Sequence, residues 1–190
     1  MLKVQLVLSI GFYALPSHIL FPEHLSAKCR VPILQIDDEI IIESPAVMTA
    51  MSQMAAEKRL MGYTDLNVIQ TYKWLNKLSG TLHTLRDGAL LRPERFIDNE
   101  RLYAVVRAKE IDKLKGRYEV VDRKLEGKKW AVGHEFTAVD AYLFVSWEWG
   151  SGPRFVMSEL YPNYARLALE LSKRQTVKEE GIKMMEDYTM

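Results

Sequence analysis

Residues 30–47 read RVPILQIDDEIIIESPAV, and this stretch decides the fold. Ile33-Leu34-Gln35-Ile36 and Ile40-Ile41-Ile42 are short apolar runs rich in β-branched residues, separated by Asp37-Asp38-Glu39. That pattern predicts a tight antiparallel hairpin. Ser44 followed by Pro45 predicts a helix start, with Ser44 as the N-cap and proline at the first helical position. Strand, turn, strand and helix therefore succeed one another with almost no linker, and a Val31-Pro32 step stands at the mouth of the first strand.

Upstream, Val4, Leu6 and Leu8 alternate with Lys3, Gln5 and Val7, which reads as a strand. The same start resembles a signal peptide only superficially, because Gln5 interrupts the apolar run and no small-x-small cleavage pattern comes after it. No run approaches the length needed to span a bilayer, so a cytoplasmic protein is expected.

Downstream, the character of the chain changes near residue 60, from short β-like segments to helical period. Leu60-Met61-Gly62-Tyr63 reads as a linker between two unequal domains, 1–59 and 60–190, with Thr64-Asp65 capping the first helix of the second. Val68, Tyr72, Leu75, Leu78, Leu82 and Leu85 step by three or four, which predicts one long amphipathic helix from 65 to about 90. On another of its faces, at 100° per residue, Asn76, Gly80 and His83 form a polar strip with a small residue at its centre. Pro93 is expected to open the next helix, buried through Ile111, Leu114, Tyr118, Val121 and Leu125 and stopped by Gly127. Thr137 and Asp140 have capping-box spacing, with Phe136 and Ala141 placed for a hydrophobic staple, ahead of a nearly all-apolar helix from Ala141 to Trp149. A last long helix is expected from about Tyr161 to Ser172, and a short one near Val177–Met185.

Of the 190 residues 48% are hydrophobic and 27% charged, ordinary for a globular chain that buries a core. A net charge of +1 with the two signs interleaved provides no basic field for nucleic acid. The single cysteine, Cys29, excludes an internal disulfide framework, and no metal-binding pattern stands out.

Taken in order, GFYALPSHI at 11–19, the Val-Pro hairpin with Glu-Ser-Pro, WLNKLSGTLH at 74–83 and FTAVDAYLFVSWEWG from residue 136 resemble the glutathione S-transferase family, nearest its bacterial, beta-like branch. The resemblance implies an α/β plus all-α fold, in which a small thioredoxin-like N-terminal domain precedes an all-helical C-terminal bundle. It also implies glutathione as co-substrate, a homodimer, and no metal, nucleic-acid or membrane partner. The backbone of Val31, preceding a cis Pro32, would pair with the cysteinyl part of glutathione. Glu43 would meet the γ-glutamyl ammonium, while Ser44 and the helix start would receive its carboxylate. Asn76, Gly80, Thr81 and His83 match positions that approach glutathione, and an imidazole near a thiol can stabilise thiolate or relay a proton. His83 as an ordinary helix-surface histidine is the alternative.

Two departures qualify the pattern. The branch's catalytic cysteine position falls on Tyr13, whose hydroxyl can donate to a thiolate but cannot form a mixed disulfide. Tyr13 as simple loop packing is the alternative, and Ser9 and Ser17 are weaker substitutes. Residues 20–30 are also too few for the second strand and crossover the family carries there, so the first domain is shortened, genuinely or as an incomplete gene product.

The expected activity is conjugation of the glutathione thiol to an electrophilic, mostly apolar small molecule, in detoxification or metabolite biosynthesis. Tyr13 and His83 are its catalytic candidates; Val31, Pro32, Glu43, Ser44, Asn76, Gly80 and Thr81 are its glutathione contacts. Two other readings stay open. One is a noncatalytic relative used for binding or dimerisation, the other a thiol-disulfide reductase using Cys29. Phe144, Trp147 and Trp149 read either as an acceptor pocket or as core.

Overall fold

In a computed structural model the described residues are 4–7, 32–151 and 156–179, with backbone alone at 4–7 and 84–87. Ser9, Tyr13, Ser17, Cys29, Val31 and the Val31-Pro32 peptide bond lie outside them, as does the side chain of Leu85. The chain divides into two compact units, Met1–Lys58 with Gln175–Met190, and Arg59–Arg174.

The first unit is built on a three-stranded sheet of order β1-β2-β3, formed by Val4–Val7, Ile33–Ile36 and Glu39–Ile42. Both pairings are antiparallel, with Val4 opposite Ile36 and Ile33 opposite Ile42. The expected hairpin is present, and its turn is the two residues Asp37-Asp38, since Glu39 already pairs with Ile36. Asp37 has φ 51°, a positive value that matches the strand twist and that aspartate tolerates better than most residues. Ile33 and Leu34 are buried although they point to opposite faces, so both faces of β2 are covered.

Helix α1, Ser44–Met54, comes directly after β3. The expected cap is displaced by one residue: Glu43 is the N-cap, with φ 72° and ψ 122° and no side-chain cap bond, and Ser44 is already helical. Proline still falls in the first turn, where its missing N–H costs nothing.

The second unit starts at a turn where Gly62 has φ 122° and a Cβ would lie 2.5 Å from that of Asn67, so no other residue fits. Thr64 caps α2, Asp65–Lys77, by accepting the Asn67 amide at 3.2 Å. The expected single long helix changes form at Leu78, and Leu78–Leu90 is π-helical. Its i→i+5 turn rotates each residue by less than the α-helical 100°, so the angular argument for a strip through Asn76, Gly80 and His83 ends at Lys77. The buried stripe also runs differently, through Thr71, Trp74, Leu75, Leu78 and Leu82, while Tyr72 is exposed.

Pro93 opens only a single 3₁₀ turn; α3 spans Tyr103–Leu125 and buries Leu114, Tyr118, Val121 and Leu125 as the spacing requires. Gly127 ends it at φ 68°. Helix α4, Ala138–Gly150, opens with the predicted capping box of Thr137 and Asp140. Phe136 sets its ring edge-on to Trp130 and lies beneath the Arg174 guanidinium, while Ala141, Val145 and Glu148 form an exposed stripe on a helix expected to be buried all round. A short α5, Met157–Leu160, precedes α6, Pro162–Ser172.

The core of this unit closes on Tyr164, fully buried, whose hydroxyl donates to Leu143 O at 2.5 Å and whose ring meets Trp147. Gly150 is part of the same packing, because a Cβ there would lie 2.9 Å from Tyr118 Oη and from Met157 Cε. Residues 175–179 are helical and belong to the first unit; the rest of the helix expected near 177–185 lies outside the described residues.

Candidate functional site

Within the first unit the candidate residues gather where β3 meets α1. Pro32, half-buried, leads into β2, and the Glu43 carbonyl accepts the Val47 amide at 3.0 Å as the first helical bond. The N–H groups of the first turn have no intrahelical partner by construction, and they carry the positive end of the helix dipole. Glu43 is exposed and Ser44 half-buried beside that end. The arrangement places a carboxylate, a hydroxyl and unsatisfied N–H groups within two consecutive residues, suited to a ligand that carries an ammonium and a carboxylate on one carbon. The left-handed backbone of Glu43 costs on the order of 1–3 kcal/mol, and such conformations cluster at ligand clamps.

Within the second unit the candidates lie along α2 and the π-helical segment. Asn76 and Gly80 are exposed, Thr81 and His83 half-buried. The Asn76 carbonyl accepts the Ser79 hydroxyl at 3.5 Å across the change of helix type, and no atom lies within 4 Å of where a Gly80 Cβ would be. π-helical turns are uncommon and recur at functional sites, and this one carries three of the four candidates.

His83 is held by α4. Its Nδ1 lies 3.4 Å from Tyr142 Oη, and its ring sits 5.0 Å from that of Trp149 at a tilt of 48°. Tyr142 and Trp149 are seven residues apart, two turns along one face of α4. Trp149, read from the sequence as pocket or core, is half-buried against the histidine. Tyr142 was not among the sequence candidates; its spacing from Trp149 was the available signal, but the partner 59 residues away was not.

On the exposed stripe of α4, partial desolvation raises the Glu148 carboxyl from its ordinary value. No group of three or more histidine, cysteine, aspartate or glutamate side chains suited to a metal occurs among the described residues.

Comparison with known proteins agrees with this layout. Residues 103–175 match the family model of the glutathione S-transferase C-terminal domain. The chain is 28% identical over 167 residues to glutathione S-transferase GstA of Escherichia coli O157:H7, covering 84% of this chain and 78% of that protein. Among solved structures, a glutathione transferase homolog from Sulfitobacter with bound glutathione superposes with a TM-score of 0.77 at 21% identity, covering 85% of this chain and 77% of the other. The beta class enzyme of Sphingomonas chungbukensis gives 0.69 at 22%, covering 83% and 75%. These likenesses establish the fold as a short thioredoxin-like sheet domain followed by an all-helical domain.

Proposed function

Because the chain is similar to bacterial glutathione S-transferases, we propose that it belongs to that family, binds glutathione and conjugates it to an electrophilic, mostly apolar small molecule. The enzyme assignment, glutathione transferase, rests on the relatives. The observation that carries the ligand is the Glu43-Ser44 helix start with its left-handed Glu43 backbone. It matches the zwitterionic γ-glutamyl end of glutathione, Glu43 taking the ammonium while Ser44 and the first-turn N–H groups take the carboxylate.

The remaining roles belong to the same proposal. The backbone of Val31, before Pro32, pairs with the cysteinyl part, and Asn76, Gly80 and Thr81 approach the tripeptide from the helical domain. Tyr13 donates its hydroxyl to the thiolate and His83 supports the sulfur, since the thiolate is the reactive form. In the reaction the thiol proton leaves to water, a sulfur lone pair forms the new C–S bond, and the leaving group departs with the electrons of the bond that breaks. Residues 1–59 act as the glutathione-binding domain and 60–190 as the helical domain, in a cytoplasmic homodimer serving detoxification or metabolite biosynthesis. Among the described residues no helix is long and apolar enough to cross a membrane. The dimer is supported by Leu66 and Ile69, which expose 63% and 62% of their surface one turn apart on α2.

The test is retention on immobilised glutathione, followed by conjugation of a generic electrophile by wild type, Tyr13→Phe and His83→Ala. Retention with turnover that falls in both variants is expected. A folded wild type that is not retained would sink the proposal.

A further inference from the structure

Like charges held together cost free energy, and an anion bound among them recovers it. The net charge of +1 conceals such a grouping in the second unit. Lys73 and Lys77 stand one turn apart on α2, and Arg117 and Lys124 two turns apart along one face of α3. The two pairs meet, because Lys124 reaches across to set its Nζ 5.1 Å from the centroid of the Trp74 ring on α2. Part burial, and then the charges of Lys124, Arg117 and Lys73, lower the Lys77 ammonium from its ordinary value. Lys77 and Lys124 are half-buried, whereas Lys73 and Arg117 are exposed, so the group has a partly desolvated floor and an open side.

Among the described residues none of these four cations has a carboxylate partner. The acidic side chains of α3 are engaged elsewhere. Glu110 pairs with Lys113 and Asp112 with Lys115, while Asp122 accepts the Tyr164 amide and the Asn163 side chain, each at 2.9 Å. Burial, and then Glu119 and Asp122, raise the Tyr161 hydroxyl, which sets both carboxylates on the side of α3 that faces α6. Asp65, the acidic residue of α2, stands in its first turn, two turns before Lys73.

We propose that Lys73, Lys77, Arg117 and Lys124 form a binding site for a compact multivalent anion, a phosphoryl group carrying at least two negative charges, either free or on a small organic molecule. Arg117 supplies the planar fork that grips two phosphate oxygens, and the three lysines supply point charges around it. Along the helix axes the lysines of α2 span about 6 Å and the α3 pair about 10 Å, room for one or two phosphoryl groups and too short for the phosphate track of a nucleic acid. All four residues belong to the second unit, and the site does not rest on the glutathione reading.

The experiment titrates the full-length protein with inorganic pyrophosphate, inorganic phosphate and glycerol phosphate at fixed ionic strength, by isothermal titration. Saturable binding at one site is expected, and Lys77→Gln with Arg117→Gln should weaken it at least about tenfold, since two charge-assisted contacts are lost. Lys173→Gln, on α6 and beside Glu170, should leave it unchanged. Tighter binding of glycerol phosphate than of inorganic phosphate supports an organic ester as the ligand, and the reverse supports the free ion. A ¹⁵N titration of the wild type with pyrophosphate reads the same site without any variant at it: the Trp74 indole N–H, assigned with Trp74→Phe, should shift as Lys124 turns toward the anion. Binding no stronger than that of chloride overturns the proposal, as does equal affinity in the folded double variant. A wild-type titration that moves resonances outside α2 and α3 but leaves Trp74 still overturns it too. A short DNA duplex bound more tightly than pyrophosphate would overturn the small-anion assignment and give this face to nucleic acid.

Discussion

The Asp140 carboxylate accepts the Ala131 amide at 2.8 Å, tying the first turn of α4 to a loop nine residues earlier in the chain. Its other oxygen accepts the Thr137 amide at 2.8 Å and the Thr137 hydroxyl at 3.0 Å. One fully buried side chain therefore satisfies three donors and fixes where the central helix of the second unit begins.

Asp140→Ala is expected to destabilise the fold by about 3 kcal/mol, combining the loss of a cap, typically ~1 kcal/mol, with two buried amides left without their acceptor. Urea unfolding tracked by circular dichroism measures it. A loss below about 1 kcal/mol would mean that water or another acceptor replaces the carboxylate.

The same group sets a pH dependence. Burial pushes the Asp140 carboxyl above its ordinary value, against the pull of the Ala131 and Thr137 hydrogen bonds. The folded state therefore holds this proton more tightly than the unfolded chain. The resulting stability is complete below the unfolded value of 3.8 and is lost as pH rises through the raised folded value. Thermal midpoints of wild type and Asp140→Asn, compared from about pH 4 to pH 7, should show the wild type losing ground to the variant as pH rises. A wild type that gains ground would show that the hydrogen bonds outweigh desolvation.

At the helix start of the first unit, Glu43→Gln removes the charge opposite the glutathione ammonium, and Ser44→Ala removes one donor to its carboxylate. A charge-assisted bond is worth about 1.5–3 kcal/mol, so Glu43→Gln should weaken glutathione binding at least tenfold, and Ser44→Ala somewhat less. Isothermal titration measures both. Unchanged affinity in folded Glu43→Gln would move the γ-glutamyl end elsewhere.

For the dimer, Leu66→Glu and Ile69→Glu place charge on an exposed apolar stripe and leave the buried side of α2 untouched. Sedimentation velocity should show a dimer for wild type and a monomer for the double variant, with helical content unchanged. A wild-type monomer would assign the stripe to something other than self-association.

How much of this was legible beforehand depends on the range of the interaction. The hairpin, the Thr64 cap, the Thr137–Asp140 box and the buried spacing of α3 were readable, because each is set by residues within a few positions of one another. The one-residue shift of the α1 cap was not, since a left-handed glutamate is a cost that no propensity would select. Nor was the exposure of Tyr72, which has the same spacing as its buried neighbours and is left out only by where the neighbouring helices pack.

The sequence by itself thus determined the elements, their order, the break in character near residue 60 and the family resemblance, through local periodicity, capping chemistry and motif order. Only the tertiary structure decided which faces are buried, where α2 widens into a π-helix, which side chains contact His83, and that the Ala131 amide joins Thr137 on Asp140. The physical reason is reach: turns and caps are settled within one or two turns of chain, whereas the Tyr142–His83 contact joins residues 59 apart and exists only once α4 has packed.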